Sequence, residues 1–142
     1  MSLVDSFDAS LLEAVHTLTL PSPSESVSLQ SFLHGIAYKA TGEALFGPTF
    51  DPSTAEIFKG FDESVWRVAA GYPSRLLSKF VDSREKMIQW FSEYAEKPFE
   101  SSELVSLMVQ FTKEGGFSKR DIGAVMLCTW WPVIGNAPWA CL

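Results

Sequence analysis

Apolar residues recur along the chain at helical spacing in six stretches, with turn-forming residues between them. The first predicted helix runs from about Ser6 to Leu18, on Phe7, Leu11, Val15 and Leu18. Pro21, Ser22, Pro23 and Ser24 then break the pattern. The second runs from about Leu29 to Leu45, with Leu29, Phe32, Leu33, Ile36, Ala37 and Ala40 as its stripe, and Gly47–Pro48 ends it. Asp51 as N-cap and Pro52 as first helical residue predict a third helix, with Ile57, Phe58, Phe61, Val65 and Val68 facing inward and Gly71 and Pro73 as its stop. A fourth is expected over about Arg75–Lys97, with Leu76, Leu77, Phe80, Met87, Phe91 and Tyr94 inward and Arg75, Lys79, Arg84 and Lys86 on a solvated face. Past Pro98, a fifth is expected over Glu103–Glu114, with Leu104, Leu107, Met108 and Phe111 on one side and Gly115–Gly116 as its stop. No period-two alternation rivals these patterns, so the expected fold class is all-α.

The stretch from Ser118 to Leu142 differs from the others. Ser118 is placed as an N-cap with Asp121 three residues on, the spacing of a capping box. From Ile122 onward no residue is charged. A helix apolar on every side belongs in the centre of a large protein or across a membrane. Gly135, Asn136, Ala137 and Pro138 are expected to interrupt it, after Pro132. Each proline removes a backbone N–H and clashes with the preceding turn, at about 3 kcal/mol in a helix interior. Asn136 is the only Asn in the chain and falls at this expected break. The pattern stops at Leu142 with no Gly, Pro or basic residue to cap it, so a piece of a longer protein is expected.

Composition narrows the function classes. At 46% hydrophobic and 13% aromatic, the chain is expected to fold rather than remain disordered. A net charge of −6, with no basic cluster interleaved with aromatics, argues against a nucleic-acid partner. Cys128 and Cys141 both lie in the apolar run and are expected to be buried, reduced thiols, without the spacing of a metal site. His16 and His34 have no Cys or acidic neighbours at ligand spacing. Met1 is followed by Asp5 and Asp8 rather than by a signal-peptide pattern. No Gly-rich phosphate loop, H-E-x-x-H or G-x-S-x-G is present.

The order of several segments nevertheless suggests a family. Glu43-Ala44-Leu45-Phe46-Gly47-Pro48-Thr49-Phe50-Asp51 is followed by Phe58-Lys59-Gly60-Phe61-Asp62, then by Ala70-Gly71-Tyr72-Pro73 and by Arg84-Glu85-Lys86. The series closes on the apolar stretch after Ser118-Lys119-Arg120-Asp121-Ile122. From roughly Leu29 to Leu142 the chain resembles the middle of a haem-thiolate cytochrome P-450 monooxygenase, in the branch containing sterol 7α-hydroxylases, prostacyclin synthase and related fungal enzymes.

The resemblance implies that the Leu29 stretch corresponds to the family's E helix. The Pro52 and Arg75 stretches correspond to F and G, which roof the substrate pocket, and the Glu103 stretch to H. The last corresponds to the I helix, which crosses the distal face of the haem. It further implies Gly135 and Asn136 as the wall of the oxygen site, and Trp131 and Ile134 as substrate-binding residues. The implied cofactor is haem. The implied partners are a lipophilic substrate such as a sterol or terpenoid and an NADPH reductase, at the endoplasmic reticulum membrane. In place of the family's usual acid and alcohol, the chain has Ile134-Gly135-Asn136-Ala137-Pro138, which fits this branch and puts the ordinary proton relay in doubt. The family's Glu-x-x-Arg and its Phe-x-x-Gly-x-x-x-Cys-x-Gly loop do not occur in the sequence. A partial domain, inactive alone and prone to self-association, is therefore expected. The competing expectations are a tail-anchored protein, because the 21 uncharged residues Ile122–Leu142 are long enough for a bilayer core of about 30 Å, or a small helical interaction module without catalysis.

Overall fold

The structure is a computed structural model that describes residues 3–16, 28–96 and 101–140, with backbone alone for residues 3, 30 and 136–140. Every regular element among the described residues is helical, so the all-α expectation holds. The elements are α1 (Leu3–His16), α2 (Leu29–Phe46), α3 (Thr54–Ala69), α4 (Ser78–Tyr94), α5 (Glu103–Glu114) and α6 (Lys119–Ala140). Three expected limits move. α3 starts at Thr54 with Ser53 as its N-cap, so Pro52 lies in the turn before it. The expected helix from Arg75 divides into a single 3-10 turn, Ser74–Leu76, and α4 proper. α1 starts earlier than expected; Leu18, the Pro21–Ser24 break, Lys97 and Pro98 lie outside the described residues.

Local chemistry sets the helix ends. At α3, Gly71 at φ 72° donates to the Val68 carbonyl (3.0 Å) and Tyr72 to the Arg67 carbonyl (3.0 Å). This is a Schellman pair that only a left-handed residue allows at little cost. Gly116 at φ 74° ends α5 in the same way, with Gly116 donating to Lys113 and Phe117 to Thr112. At the start of α6 the expected Ser118 N-cap forms. Asp121 N donates to Ser118 Oγ (3.2 Å), and Ser118 Oγ donates to Asp121 Oδ2 (2.5 Å).

The chain divides into two compact units. The first comprises Met1–Pro52, Phe99–Ser106 and Ile134–Leu142, and in it α1 packs on α2. Its core lies at the C-terminal half of α2, where Tyr38, Ala40, Ala44, Leu45 and Phe46 are buried, whereas Leu29 of the expected stripe is exposed. After Gly47 the chain turns back, and the Phe50 ring stacks on Phe46 (5.7 Å) and tilts against Tyr38 (5.6 Å). The ring occupies the space that a Cβ on Gly42 would need, with Phe50 Cζ only 2.7 Å from it. Ser102 ties the start of α5 here: its N–H donates to the Leu45 carbonyl (2.9 Å), and its Oγ accepts from Val105 N (3.3 Å).

The second unit comprises Ser53–Pro98 and Leu107–Val133, with α3 packed on α4. Phe58 and Phe61 of α3 meet Trp130 of α6 (6.4 Å from Phe58) and Phe80 of α4 (5.2 Å from Phe61). Burial of a large apolar side chain stabilises by about 1.5–3 kcal/mol, so this cluster is a principal source of cohesion in the unit. α4 buries Phe80, Met87, Ile88, Phe91 and Tyr94, close to the expected face, while Leu76 before it is exposed. Two glycines allow backbones to approach. Gly60 lies against Ser83 and Gly123 against Ile88 and Ser92.

Val15 and Val68, expected inward, are exposed, and three larger expectations fail. On α5, Leu104, Leu107 and Phe111 are exposed (Phe111 67%), and Val105 and Val109 are the buried residues. A face displaced by one position is still apolar, and the shorter β-branched side chains allow closer packing. Cys128 is a free thiol and exposed rather than buried, because it lies on the side of α6 opposite Met126, Leu127 and Trp130; Cys141 is outside the described residues. Third, α6 is one continuous helix through Pro132, Gly135 and Pro138. The prolines deny the Cys128 and Ile134 carbonyls their usual donors, at about 3 kcal/mol each. Burial of Trp130 and Ile134, together with the intact ladder on either side, offsets part of that cost.

Candidate functional site

The residues singled out on α6 fall in two environments. Ile134 is fully buried and Gly135 beside it is half-buried; the side chain of Asn136 is outside the described residues. Gly135 therefore contributes bare backbone next to an apolar side chain within an unbroken helix. The expected opening of the helix at this point is absent.

Trp131, one helical turn earlier on α6, is 37% exposed. Its indole Nε1 donates to Asp62 Oδ1 of α3 at 2.9 Å. Its ring meets Phe61 edge-on, with centroids 6.1 Å apart and planes at 87°. One residue pair on α3 therefore holds this side chain by both its polar atom and its ring. Reading the sequence did not single out Asp62. The Phe61-Asp62 pair lies in one of the segments that carry the family resemblance, but nothing in its spacing links it to a residue 69 positions away.

A second feature lies between α4 and the start of α6. Glu85, Ile88, Gln89, Ser92, Lys119 and Arg120 line an open groove of about 350 Å³. Arg120 Nη2 donates to both Glu85 oxygens (2.9 and 2.7 Å), and Arg84 donates to Oε1 from Nε (3.1 Å) and Nη2 (2.7 Å). The Arg120 hydrogen bonds first, then those from Arg84, hold the Glu85 carboxyl below its ordinary value of 4.5. Lys119 pairs with Glu96 at 3.8 Å. Each charged side chain lining the groove is thus already paired. Of the expected basic face, Lys79 pairs with Glu63 (3.3 Å) and Lys86 with Asp82 (2.8 Å). Tyr94, buried and stacked on Trp90 at 5.4 Å, has its hydroxyl pKa raised by desolvation, so it stays neutral.

Among the described residues no group of His, Cys, Asp and Glu could hold a metal ion. Nor is any helix of the described residues long and apolar enough to cross a membrane. Comparison of the chain with protein-family models, with curated proteins and with solved structures finds no match.

Proposed function

We propose that the chain supplies distal helices of a haem-dependent monooxygenase that inserts one atom of dioxygen into a lipophilic substrate. The order and spacing of the segments from Leu29 onward support this reading. The observation that carries it is α6: a capped helix without charge beyond Asp121, with Trp130 and Ile134 buried and bare backbone at Gly135. At Gly135 the missing side chain suits a small ligand approaching the backbone. In the same reading a reductase supplies electrons from NADPH, and the protein belongs at the endoplasmic reticulum membrane.

The described residues do not by themselves fit haem. The family's iron is held by a thiolate that favours O–O cleavage. Cys128 lies on the helix assigned to the opposite side of that iron, and Cys141 has no matching loop around it. The chain incubated with haem and reduced under carbon monoxide should therefore give no thiolate-type Soret band. A band lost in Cys128→Ser or Cys141→Ser would overturn the assignment of α6. The positive test asks whether the coding sequence continues in frame past Leu142. A frame carrying Glu-x-x-Arg and a haem-cysteine loop, whose product binds carbon monoxide less tightly in Gly135→Val and loses coupling in Asn136→Ala at unchanged haem content, supports the reading. Unchanged ligand binding and coupling in both variants would refute the oxygen-site role.

A further inference from the structure

We propose that Asp62 is a positioning residue: it aims the Trp131 indole and leaves that side chain only carbon to present to a ligand. The ligand half of this inference rests on the reading of Trp131 as a substrate-pocket residue; the aiming half does not. An indole has one polar atom, its N–H donor. In Trp131 that donor is taken by Asp62 Oδ1 at 2.9 Å. The adjacent residue on α3, Phe61, meets the ring edge-on at 6.1 Å. Phe61 is itself buried and stacked on Phe80 at 5.2 Å. A hydrogen bond at one edge and a ring contact along it leave the indole little rotational freedom.

The charge of the acceptor matters. A hydrogen bond to an ionised group is about twice as strong as a neutral one, and a tryptophan exposed at 37% has water as a competing acceptor. A carboxylate at this position outcompetes that water. With the N–H occupied, the exposed part of the ring offers a ligand its π-face and C–H edges. It has no donor for a carbonyl or hydroxyl oxygen. The ligand class this favours at Trp131 is an unsubstituted hydrocarbon surface, such as a saturated ring system, over the same skeleton bearing oxygen at that point.

The test uses the whole chain with nitrogen-labelled indoles. The Trp131 N–H resonance is assigned by its disappearance in Trp131→Phe. In Asp62→Ala its solvent exchange should speed up about tenfold, the scale of one charge-assisted hydrogen bond at a half-exposed site. Asp62→Asn, which keeps a neutral acceptor oxygen of about half the strength, should restore about threefold of that protection. Unchanged exchange in Asp62→Ala, or equal exchange in the Asn and Ala variants, overturns the aiming role. Should Asp62→Ala fail to fold, Asp62→Asn and Asp62→Ser are compared with wild type, and equal exchange in all three overturns it as well. Decalin and decalone, which differ by one carbonyl, probe the ligand half through shifts of the Trp131 resonance. Freeing the N–H should raise the affinity for decalone relative to decalin about fivefold. An unchanged ratio overturns the ligand half. If neither probe binds while the exchange results hold, the reading of Trp131 as a pocket residue fails and the aiming role of Asp62 stands.

Discussion

Substitution of Gly123 by alanine tests how closely α4 and α6 approach. A Cβ built on Gly123 would overlap Ser92 Oγ and the Ile88 carbonyl oxygen, and would lie 3.0 Å from Ser92 N. Ser92 Oγ could rotate away, but it would give up its hydrogen bond to the Ile88 carbonyl (2.6 Å), worth about 1 kcal/mol. The carbonyl and amide are α4 backbone and cannot rotate independently, so the helices must separate. Overpacking of this kind costs about 1–3 kcal/mol, and the gain in helix propensity from glycine to alanine returns about 1 kcal/mol. The net expectation is a loss of about 2 kcal/mol, or roughly a 6 °C fall in Tm for a chain of this size. Gly35 is the internal control. It lies on an exposed part of α2 with nothing within 4 Å of the added Cβ, so Gly35→Ala should raise stability by about 0.5–1 kcal/mol. Thermal melts followed by far-ultraviolet circular dichroism measure both variants. A Gly123→Ala protein as stable as wild type, or the same shift for both substitutions, would refute the close approach of these two backbones.

Two further outcomes follow from the ends and charges of the helices. Ser118→Ala should lower stability by about 1 kcal/mol through loss of the α6 N-cap, measured by urea unfolding, and Ser118→Asp should recover most of it; an Ala variant equal to wild type would show that the cap contributes nothing. Because Arg120 and Arg84 depress the Glu85 pKa in the folded chain, their contribution is present above 4.5 and is lost as pH falls through the lowered folded value. The urea midpoint of wild type should therefore drop on acidification through that range, and part of the drop should vanish in Arg120→Met. An identical pH profile in that variant would mean the Arg120–Glu85 pair is screened to insignificance.

The legible features of this chain are those whose cause lies within a few residues. Gly71 and Gly116 stop their helices because each must adopt a left-handed conformation, and Ser118 caps α6 because Asp121 is three residues away. α5 begins and ends where its sequence indicates, between Ser102 and Gly115. The all-α class follows from the same short-range periodicity. Inward direction was not legible where two adjacent faces are both apolar. On α5 the leucines and Phe111 alternate with valines, and periodicity alone cannot rank them.

The continuity of α6 is a tertiary outcome. Pro132 and Pro138 each oppose a helix locally, yet the backbone stays helical through both, and the residues that resist the break, Trp130 and Ile134, do so through burial that only the folded chain provides. The exposure of Cys128 follows from the same packing, since it sets which side of the uncharged stretch after Asp121 faces outward. The Asp62–Trp131 hydrogen bond belongs to this second group too. Either residue alone reads as an ordinary surface acid or an ordinary buried aromatic. Their pairing across 69 positions depends on the register of α3 against α6, which packing decides and neighbouring residues do not encode.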